Sequence, residues 1–361
     1  MARMRWQLLR RLNVGLILVT FVAYLSPYVA PDGWFWWVQF FGMAFPYLLI
    51  AHVLFVLTWL YRRSAYALMS VACIVLGWGH VTTHIGFSFS DADIPAEADT
   101  ITVYTYNYRG VRTRQGADDQ QISLRSVAGH MASRGVDIAC FQEHGLNPIT
   151  HQQALAALQE ATGVTYHIHT QPDNRLVTFS KYPIVGSGIV DRLYKANGIV
   201  YVDVAIGKRT LRVYNTHLLS SGISTETQRL TGDRDVPIAE GQRWNTVKEL
   251  FRRVTRSGRS RVRQARALAE HIAACPHPVV VCGDFNETPL SHAYYLLDKR
   301  LEDSFQERGS GLGTTYIGLP PMLRIDYILH SPVLTTVDHT ITDPGLSDHY
   351  ANIAELAWVA P

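Results

Sequence analysis

The sequence predicts a layered α+β domain behind a three-helix membrane anchor, and three observations carry that expectation. Three apolar runs without charged side chains fill most of the first ninety residues. From Thr100 onward, short β-branched runs alternate with helical patterns, as they do where sheets and helices pack in layers. Charge is divided unevenly: residues 1–90 carry six arginines and one acid, Asp32, while residues 91–361 carry 27 basic and 29 acidic side chains. The average over 361 residues, 47% hydrophobic and 17% charged with a net charge of +3, therefore describes neither part. It excludes a disordered chain, a collagen-like one and a small disulfide-stapled fold.

The apolar runs are Leu12–Ala30, Trp34–Tyr61 and Ala65–Phe89. About 20 apolar residues of helix cross a hydrocarbon core of about 30 Å, so each run is expected to span a membrane. Arginines at 3, 5, 10 and 11 precede the first run, the loop around Pro31–Gly33 has none, and Arg62 and Arg63 follow the second. Lys and Arg stay on the cytoplasmic side, so the N-terminus is expected in the cytoplasm. Residues 91–99 form an acidic linker, and the domain at 100–361 is expected outside the cytoplasm. Trp34, Trp36, Trp37, Trp59 and Trp78 fall near run ends, in part as interfacial rings do. His52, His80 and His84 are expected to be neutral and to face a neighbouring helix or the headgroups.

In the second part, strands are expected at Ile101–Tyr106, Val136–Phe141, Val164–His169, Leu176–Ser180, Ile199–Ile206, Leu211–Asn215, Val279–Cys282, Arg324–Leu329 and Tyr350–Leu356. Gly207-Lys208 between two alternating runs signals a hairpin. Helical patterns cover Ile122–Ser133, Gln152–Ala161, Arg261–Ala274 and His292–Lys299. Cys73 lies in an apolar run, and Cys140, Cys275 and Cys282 lack metal-ligand spacing, so these three are expected as buried apolar thiols, with a disulfide among them as the alternative.

Acids, amides and histidines collect at the ends of these strands: Asn107, Glu143, His217, Asp284 with Asn286, Asp326, and Asp348 with His349. One such residue after a strand is usually a turn former or helix cap. Strands of one sheet deliver their ends to one rim, so residues distant in sequence meet there. His144, next to Glu143, would face the opposite side of a continuing strand and is expected to be structural.

These positions stand in Thr105-Tyr106-Asn107, Gln142-Glu143, Phe179-Ser180-Lys181-Tyr182-Pro183, Asn215-Thr216-His217, Gly283-Asp284-Phe285-Asn286, Ile325-Asp326-Tyr327 and Ser347-Asp348-His349. In that order, over roughly residues 100–357, the sequence resembles the endonuclease/exonuclease/phosphatase superfamily, in its bacterial membrane-anchored branch. The resemblance implies a four-layer α/β/β/α sandwich of two mostly antiparallel sheets. It also implies hydrolysis of a phosphoester with a divalent cation, Mg²⁺ with Mn²⁺ as a substitute, whose hard oxygen ligands would be Glu143, Asn107 and Asp348. Asp284 would orient or deprotonate water and Asn286 would contact phosphate. His349 would form a dyad with Asp326, and His217 would bind a non-bridging oxygen or protonate the leaving group. Asn replaces His217 in abasic-site endonucleases, and Cys282 and Glu287-Thr288 stand where inositol polyphosphate 5-phosphatases carry Trp and Arg. Neither subclass fits. Arg109 occupies a position where some nucleases carry an acidic second ligand, which leaves the number of metals open.

Arg243–Arg266 holds nine basic residues against Glu249 alone, interrupted by Ser257-Gly258. It reads as the solvated face of a helix pair, as a stripe neutralising nucleic-acid phosphates, or as a polybasic surface for anionic lipid headgroups, with Arg252, Arg253, Arg256 and Arg259 as the contacts. A membrane-anchored phosphoesterase acting on a lipid or other small phosphoester is thus expected, ahead of an extracytoplasmic nuclease acting on DNA or RNA. A catalytically silent phosphate-binding module is the alternative of another class.

Overall fold

The computed structural model describes residues 2–88, 98–108, 120–144, 148–169, 175–194, 197–221, 240–318 and 320–358. Most of the expected linker and Arg109 lie outside the described residues. Two six-stranded sheets form the second part. From edge to edge, the first contains β13 (Leu334–Thr342), β14 (Ala351–Trp358), β2 (Thr100–Asn107), β3 (Ile138–Gln142), β5 (Val177–Ser180) and β4 (Tyr166–His169). The second contains β10 (Glu302–Asp303), β12 (Asp326–His330), β9 (Val279–Asp284), β8 (Arg209–His217), β7 (Asn197–Ile206) and β6 (Ile184–Tyr194). The pairs β2/β3 and β8/β9 are parallel, and the other pairings in both sheets are antiparallel. Gly207 turns the β7–β8 hairpin at φ 59°, with Ile206 opposite Arg209.

Alternation along the strands places Val103, Cys140, Val213, Cys282 and Ile328 in a buried layer between the sheets. The opposite phase of the first sheet packs on α6 (Gln120–Ser133) and α7 (Pro148–Thr162). That of the second packs on α8 (Glu240–Ala273) and α9 (His292–Asp298). The result is four layers, helix, sheet, sheet, helix. A short helix, α10 (Ser304–Arg308), follows Asp303, whose carboxylate caps it by accepting from Phe305 N. All four cysteines are free. Helix α8 runs continuously through Ser257-Gly258, which corrects the expected helix pair.

The N-terminal part contains α1 (Ala2–Leu25), α2 (Val38–Met43), α3 (Phe45–Tyr61), α4 (Ala67–Leu76) and α5 (Trp78–Thr82), then β1 (Ile85–Phe87). This corrects the expectation of three uninterrupted spans. Among the described residues, one helix is long and apolar enough to cross a membrane, at 6–28. The second run starts as turn at Trp34–Trp37 and breaks at Ala44, with Pro46 entering the first turn of α3. The third breaks at Gly77, where a Cβ would lie 2.1 Å from the Tyr24 ring. Its end is strand, β1 pairing with β11 (Ser310–Leu312) of the sandwich. A count of apolar side chains does not register these breaks, because Gly and Pro act through the backbone.

The helices are apolar outside and polar within. Leu18, Leu54, Leu57, Leu68 and Val75 are exposed, whereas Asn13, Thr20, His52 and Ser70 are buried. Asn13 Oδ1 accepts from Trp59 Nε1 at 3.2 Å and Ser70 Oγ at 3.1 Å, and His52 bridges Thr20 and Ser70 at 3.0 and 3.1 Å. One end of this bundle docks on the sandwich. Buried Arg324 donates to Thr83 O at 2.8 Å and to both Asp303 oxygens at 2.6 and 2.7 Å. His292 Nδ1 donates to Pro27 O at 2.7 Å.

Candidate active site

The two parallel strand pairs point four C-terminal ends at one rim. Asn107 ends β2, Glu143 follows β3, His217 ends β8 and Asp284 ends β9. The antiparallel neighbours β12 and β14 begin at the same rim, which brings in Asp326 and, just ahead of β14, Asp348-His349. His217 pairs in register with Asp284, and Asp284 with Asp326. Asn107, Glu143, His217, Asp284, Asn286, Asp348 and His349 line one cavity of about 230 Å³. Asp326 is buried behind His349.

Local backbone geometry aims these side chains. Gly283 sits at φ 133°, and a Cβ there would lie 2.0 Å from Thr216 O, so only glycine lets β9 lie this close to β8. Glu143 and Asn286 adopt φ of 55° and 52°, a left-handed conformation that costs a non-glycine residue about 1–3 kcal/mol. Asn286 is held there by its N–H donating to Asp284 Oδ1 at 2.7 Å and its Nδ2 donating to Leu218 O at 3.1 Å. Beneath the rim, Gln142 Nε2 donates to Asn215 Oδ1 at 2.8 Å, and Asn215 Nδ2 donates to Phe141 O and Val177 O at 3.2 and 3.0 Å. These buried amides satisfy one another across the two sheets.

Asp284 Oδ2 accepts from Asn107 Nδ2 at 3.0 Å and lies 3.6 Å from His217 Nε2 and 3.9 Å from His349 Nε2. Glu143 Oε1 is 3.9 Å from His217 Nε2. His349 Nδ1 contacts Asp326 Oδ2 at 3.0 Å, and Thr315 Oγ1 accepts from Asp326 N at 3.0 Å, fixing the strand start. Ser347 Oγ donates to Asn107 O at 2.7 Å and accepts from His349 N at 3.2 Å, tying two site segments together. Burial opposes charge on His349, but the Asp326 carboxylate, with Asp284 and Asp348, outweighs it and raises the imidazole to about 10. Burial pushes Asp326 up to about 6, aided by Asp284 and opposed by His349.

Glu143, Asn107 and Asp348 face the cavity with the oxygen donors that suit a hard divalent cation. Asn107 Nδ2 is committed to Asp284, so the ligand atom it would offer is Oδ1. Asp284, Asp326 and His349 also bring donor atoms within 4.8 Å of one another, but there the imidazole and Asp326 are engaged with each other.

The four arginines expected to bind substrate lie on α8 and are not among the residues that line the cavity. Arg252, Arg253 and Arg256 are exposed. Arg253 meets Glu249 at 3.3 Å, and Arg259 donates to Pro31 O at 3.0 Å. Arg261, not singled out from sequence, lines the cavity, 3% exposed and paired with Glu287 at 2.7 Å. Its spacing from Val254, Ser257 and Leu268, all buried, is the inward phase of a helix, and that phase would have found it. Gln39, Phe40 and Met43 of α2 also line the cavity, and no local signal pointed to them. His144 is buried beside the Tyr108 hydroxyl, with its N–H donating to Arg175 O, a structural position.

Residues 7–84 match a domain of unknown function. The sandwich is similar to the crystal structure of an endonuclease/exonuclease/phosphatase from Bacteroides vulgatus, at 17% identity and TM-score 0.52, covering 72% of this chain and 100% of that one. A family protein from Bacteroides thetaiotaomicron matches at 17% identity and TM-score 0.49, covering 73% and 100%. The human Nocturnin catalytic domain with bound sulfate matches at 15% and 0.48, covering 73% and 98%. No curated protein matches the chain. Residues 105–349, which contain every strand-end residue of the cavity rim, match the endonuclease/exonuclease/phosphatase family, and the chain belongs to it.

Proposed function

We propose that the chain is a membrane-anchored, Mg²⁺-dependent phosphoesterase whose catalytic cleft lies on the extracytoplasmic side. The observation that carries this reading is the meeting of Asn107, Glu143, His217, Asp284, Asp348 and His349, from five separate segments, on one cavity. Glu143, Asn107 and Asp348 would hold the cation, which supplies positive charge against the negative charge that develops on the phosphoryl oxygens. The Asp284 side chain accepts from two donors, Asn107 Nδ2 and Asn286 N, which fix it in place to orient the attacking water. As the water oxygen bonds to phosphorus and the bond to the leaving oxygen breaks, the water's proton passes to the carboxylate side. His349, kept cationic by Asp326, and His217, opposite Asp284, steady the phosphoryl oxygens and return a proton to the leaving oxygen. Such acid–base assistance contributes about 10²–10⁴-fold.

Several features support the membrane setting. The bundle buries Asn13, Thr20, His52 and Ser70 and exposes Leu18, Leu54, Leu57, Leu68 and Val75, the reverse of a water-soluble bundle and what lipid surroundings favour. Arg10 lies over Tyr66 and Arg62 over Trp6 at the end remote from the sandwich, and arginines stay in the cytoplasm.

The test is turnover of bis-p-nitrophenyl phosphate by the full chain in detergent. Activity with Mg²⁺ or Mn²⁺ that EDTA removes and added cation restores is expected. Absence of turnover with either cation refutes the enzyme reading. A reporter fused at residue 95 should read extracytoplasmic, and a cytoplasmic signal would overturn the orientation.

A further inference from the structure

We propose that the N-terminal bundle supplies one wall of the catalytic cleft and makes it a site for a membrane amphiphile, a phosphoester carrying an apolar chain. This rests on the phosphoesterase reading and names its substrate class. The cavity is divided by chemistry: carboxylates, amides and imidazoles form its floor, while Phe40 and Met43 of α2 face it together with Val254, Leu323 and Ile325. The α2 wall is braced from the sandwich, since the Phe40 ring meets Phe251 of α8 at 4.9 Å and Arg259 holds the Pro31 carbonyl.

The wall sits where a membrane surface would pass. Just before α2, Trp34, Phe35 and Trp37 are 94, 62 and 41% exposed, as interfacial rings are. Just after it, α3 turns Ile50, Val53 and Leu54 outward. The apolar lining continues in that direction. Met43 lines the cleft, and Pro46, one turn later, lines a second cavity of about 200 Å³ with Leu49, Ile50, Val53 and Leu54. The segment between the two cavities presents Leu323 and Ile325 to the first and Met322 to the second. A phosphoester at the floor would thus direct its chain along α2 and α3 toward lipid.

A nucleic-acid strand fits this cleft less well. It needs a basic track and stacking along its length, whereas the cleft's own arginine, Arg261, is already paired with Glu287. Exposed Arg252 and Arg256 lie on the same helix as Phe251, where they would meet anionic headgroups around the mouth.

The test compares methyl p-nitrophenyl phosphate with dodecyl p-nitrophenyl phosphate, used below its micellar concentration, on the full chain with Mg²⁺. The two share the scissile bond and leaving group and differ only in the chain. kcat/KM should rise at least about tenfold with the dodecyl chain, because each buried methylene strengthens binding severalfold. In F40A and M43A the dodecyl-to-methyl ratio should fall severalfold, and F40L should restore most of it. Turnover of both diesters with a ratio near one, or a ratio unmoved in F40A and M43A that still turn over the methyl ester, overturns the chain-binding wall. Faster cleavage of a single-stranded oligonucleotide than of the dodecyl ester overturns it in favour of a nuclease. Turnover of neither ester with Mg²⁺ or Mn²⁺ refutes the phosphoesterase reading itself, and the inference falls with it.

Discussion

Replacing Asp326 with Asn keeps the shape of the side chain and removes the charge that His349 depends on. Asp326 is 1% exposed, and its carboxylate lies 3.0 Å from His349 Nδ1. With Asp326 raised to about 6 by burial and His349 raised to about 10 against its own burial, the ion pair persists from about pH 6 to about pH 10. In D326N burial acts on the imidazole with its main counter-charge gone, so its pKa falls to or below the ordinary value of about 6.5. At pH 8 the protonated fraction then drops to about one in thirty or less. The hydrogen bond that orients the ring, now accepted by a neutral amide oxygen in place of a carboxylate, weakens as well, for a total near the 10²–10⁴-fold expected of an acid–base group. The assay is kcat/KM for bis-p-nitrophenyl phosphate between pH 5 and 9 at saturating Mg²⁺. The wild type should rise through an acid limb near 6 to a plateau, while D326N should lack the plateau and decline as pH rises. A variant that keeps more than about a tenth of wild-type activity at pH 8, or the wild-type pH profile, would refute the dyad.

E143Q should raise the Mg²⁺ concentration for half-maximal activity by at least about tenfold, since even outer partners of metal ligands are worth 10–100-fold; an unchanged titration midpoint removes Glu143 from the metal site. G283A places a Cβ 2.0 Å from Thr216 O and should lower stability by about 1–3 kcal/mol and activity with it, because β9 must move away from His217; denaturant titration and turnover check both. D303N leaves Arg324 buried without its carboxylate and should cost about 3–5 kcal/mol. Burial alone would raise Asp303, but Arg324 outweighs it and holds the carboxyl below its ordinary value. A depressed folded pKa means stability present in full above the ordinary carboxyl value and lost as pH falls through the depressed one. Melting temperatures of the wild type should therefore fall only below about pH 4, and those of D303N should lack this increment throughout; equal melting curves at pH 7 would contradict it.

Much of the sandwich was legible because β-branched alternation reports a buried face directly. All nine strands expected from sequence are present, and the hairpin at Gly207 joins β7 to β8. Of the strands that escaped notice, β1, β10 and β11 are only two or three residues long, and the two long ones break that alternation. Ile184–Tyr194 carries Gly186 and Gly188 and shifts register three times, and Leu334–Thr342 is polar with a bulge between Thr336 and Asp338. The rim residues were legible for a different reason: a polar residue that closes an apolar strand must leave the core at a fixed end, so strand direction alone collects such residues. The Asp326–His349 contact follows from the pairing of β12 with β9 and the entry into β14, an order that only the resemblance to a known family supplied.

The N-terminal part was legible in composition and misleading in form. Hydropathy registers how apolar a run is but not where Gly77 accepts Tyr24 or where Ala44 bends the chain into α3. Nor does it show that residues 85–87, apolar enough to extend the third run, pair antiparallel with β11 instead. The same blindness hid α2 as a wall of the cleft. Phe40 and Met43 occur in a sequence rich in Phe and Trp, where each looks like any lipid-facing side chain. Their position against Glu143 and Asp284 depends on Arg324 reaching Thr83, on His292 reaching Pro27 and on Arg259 reaching Pro31. Each of those bonds spans more than two hundred residues, and each backbone carbonyl would look the same in sequence whatever residue bore it. Such docking leaves no periodicity and no motif. Its trace is chemical: Arg324, a fully buried arginine satisfied partly by its own domain through Asp303 and partly by the other through Thr83 O, binds the N-terminal helices to the fold that carries the cavity.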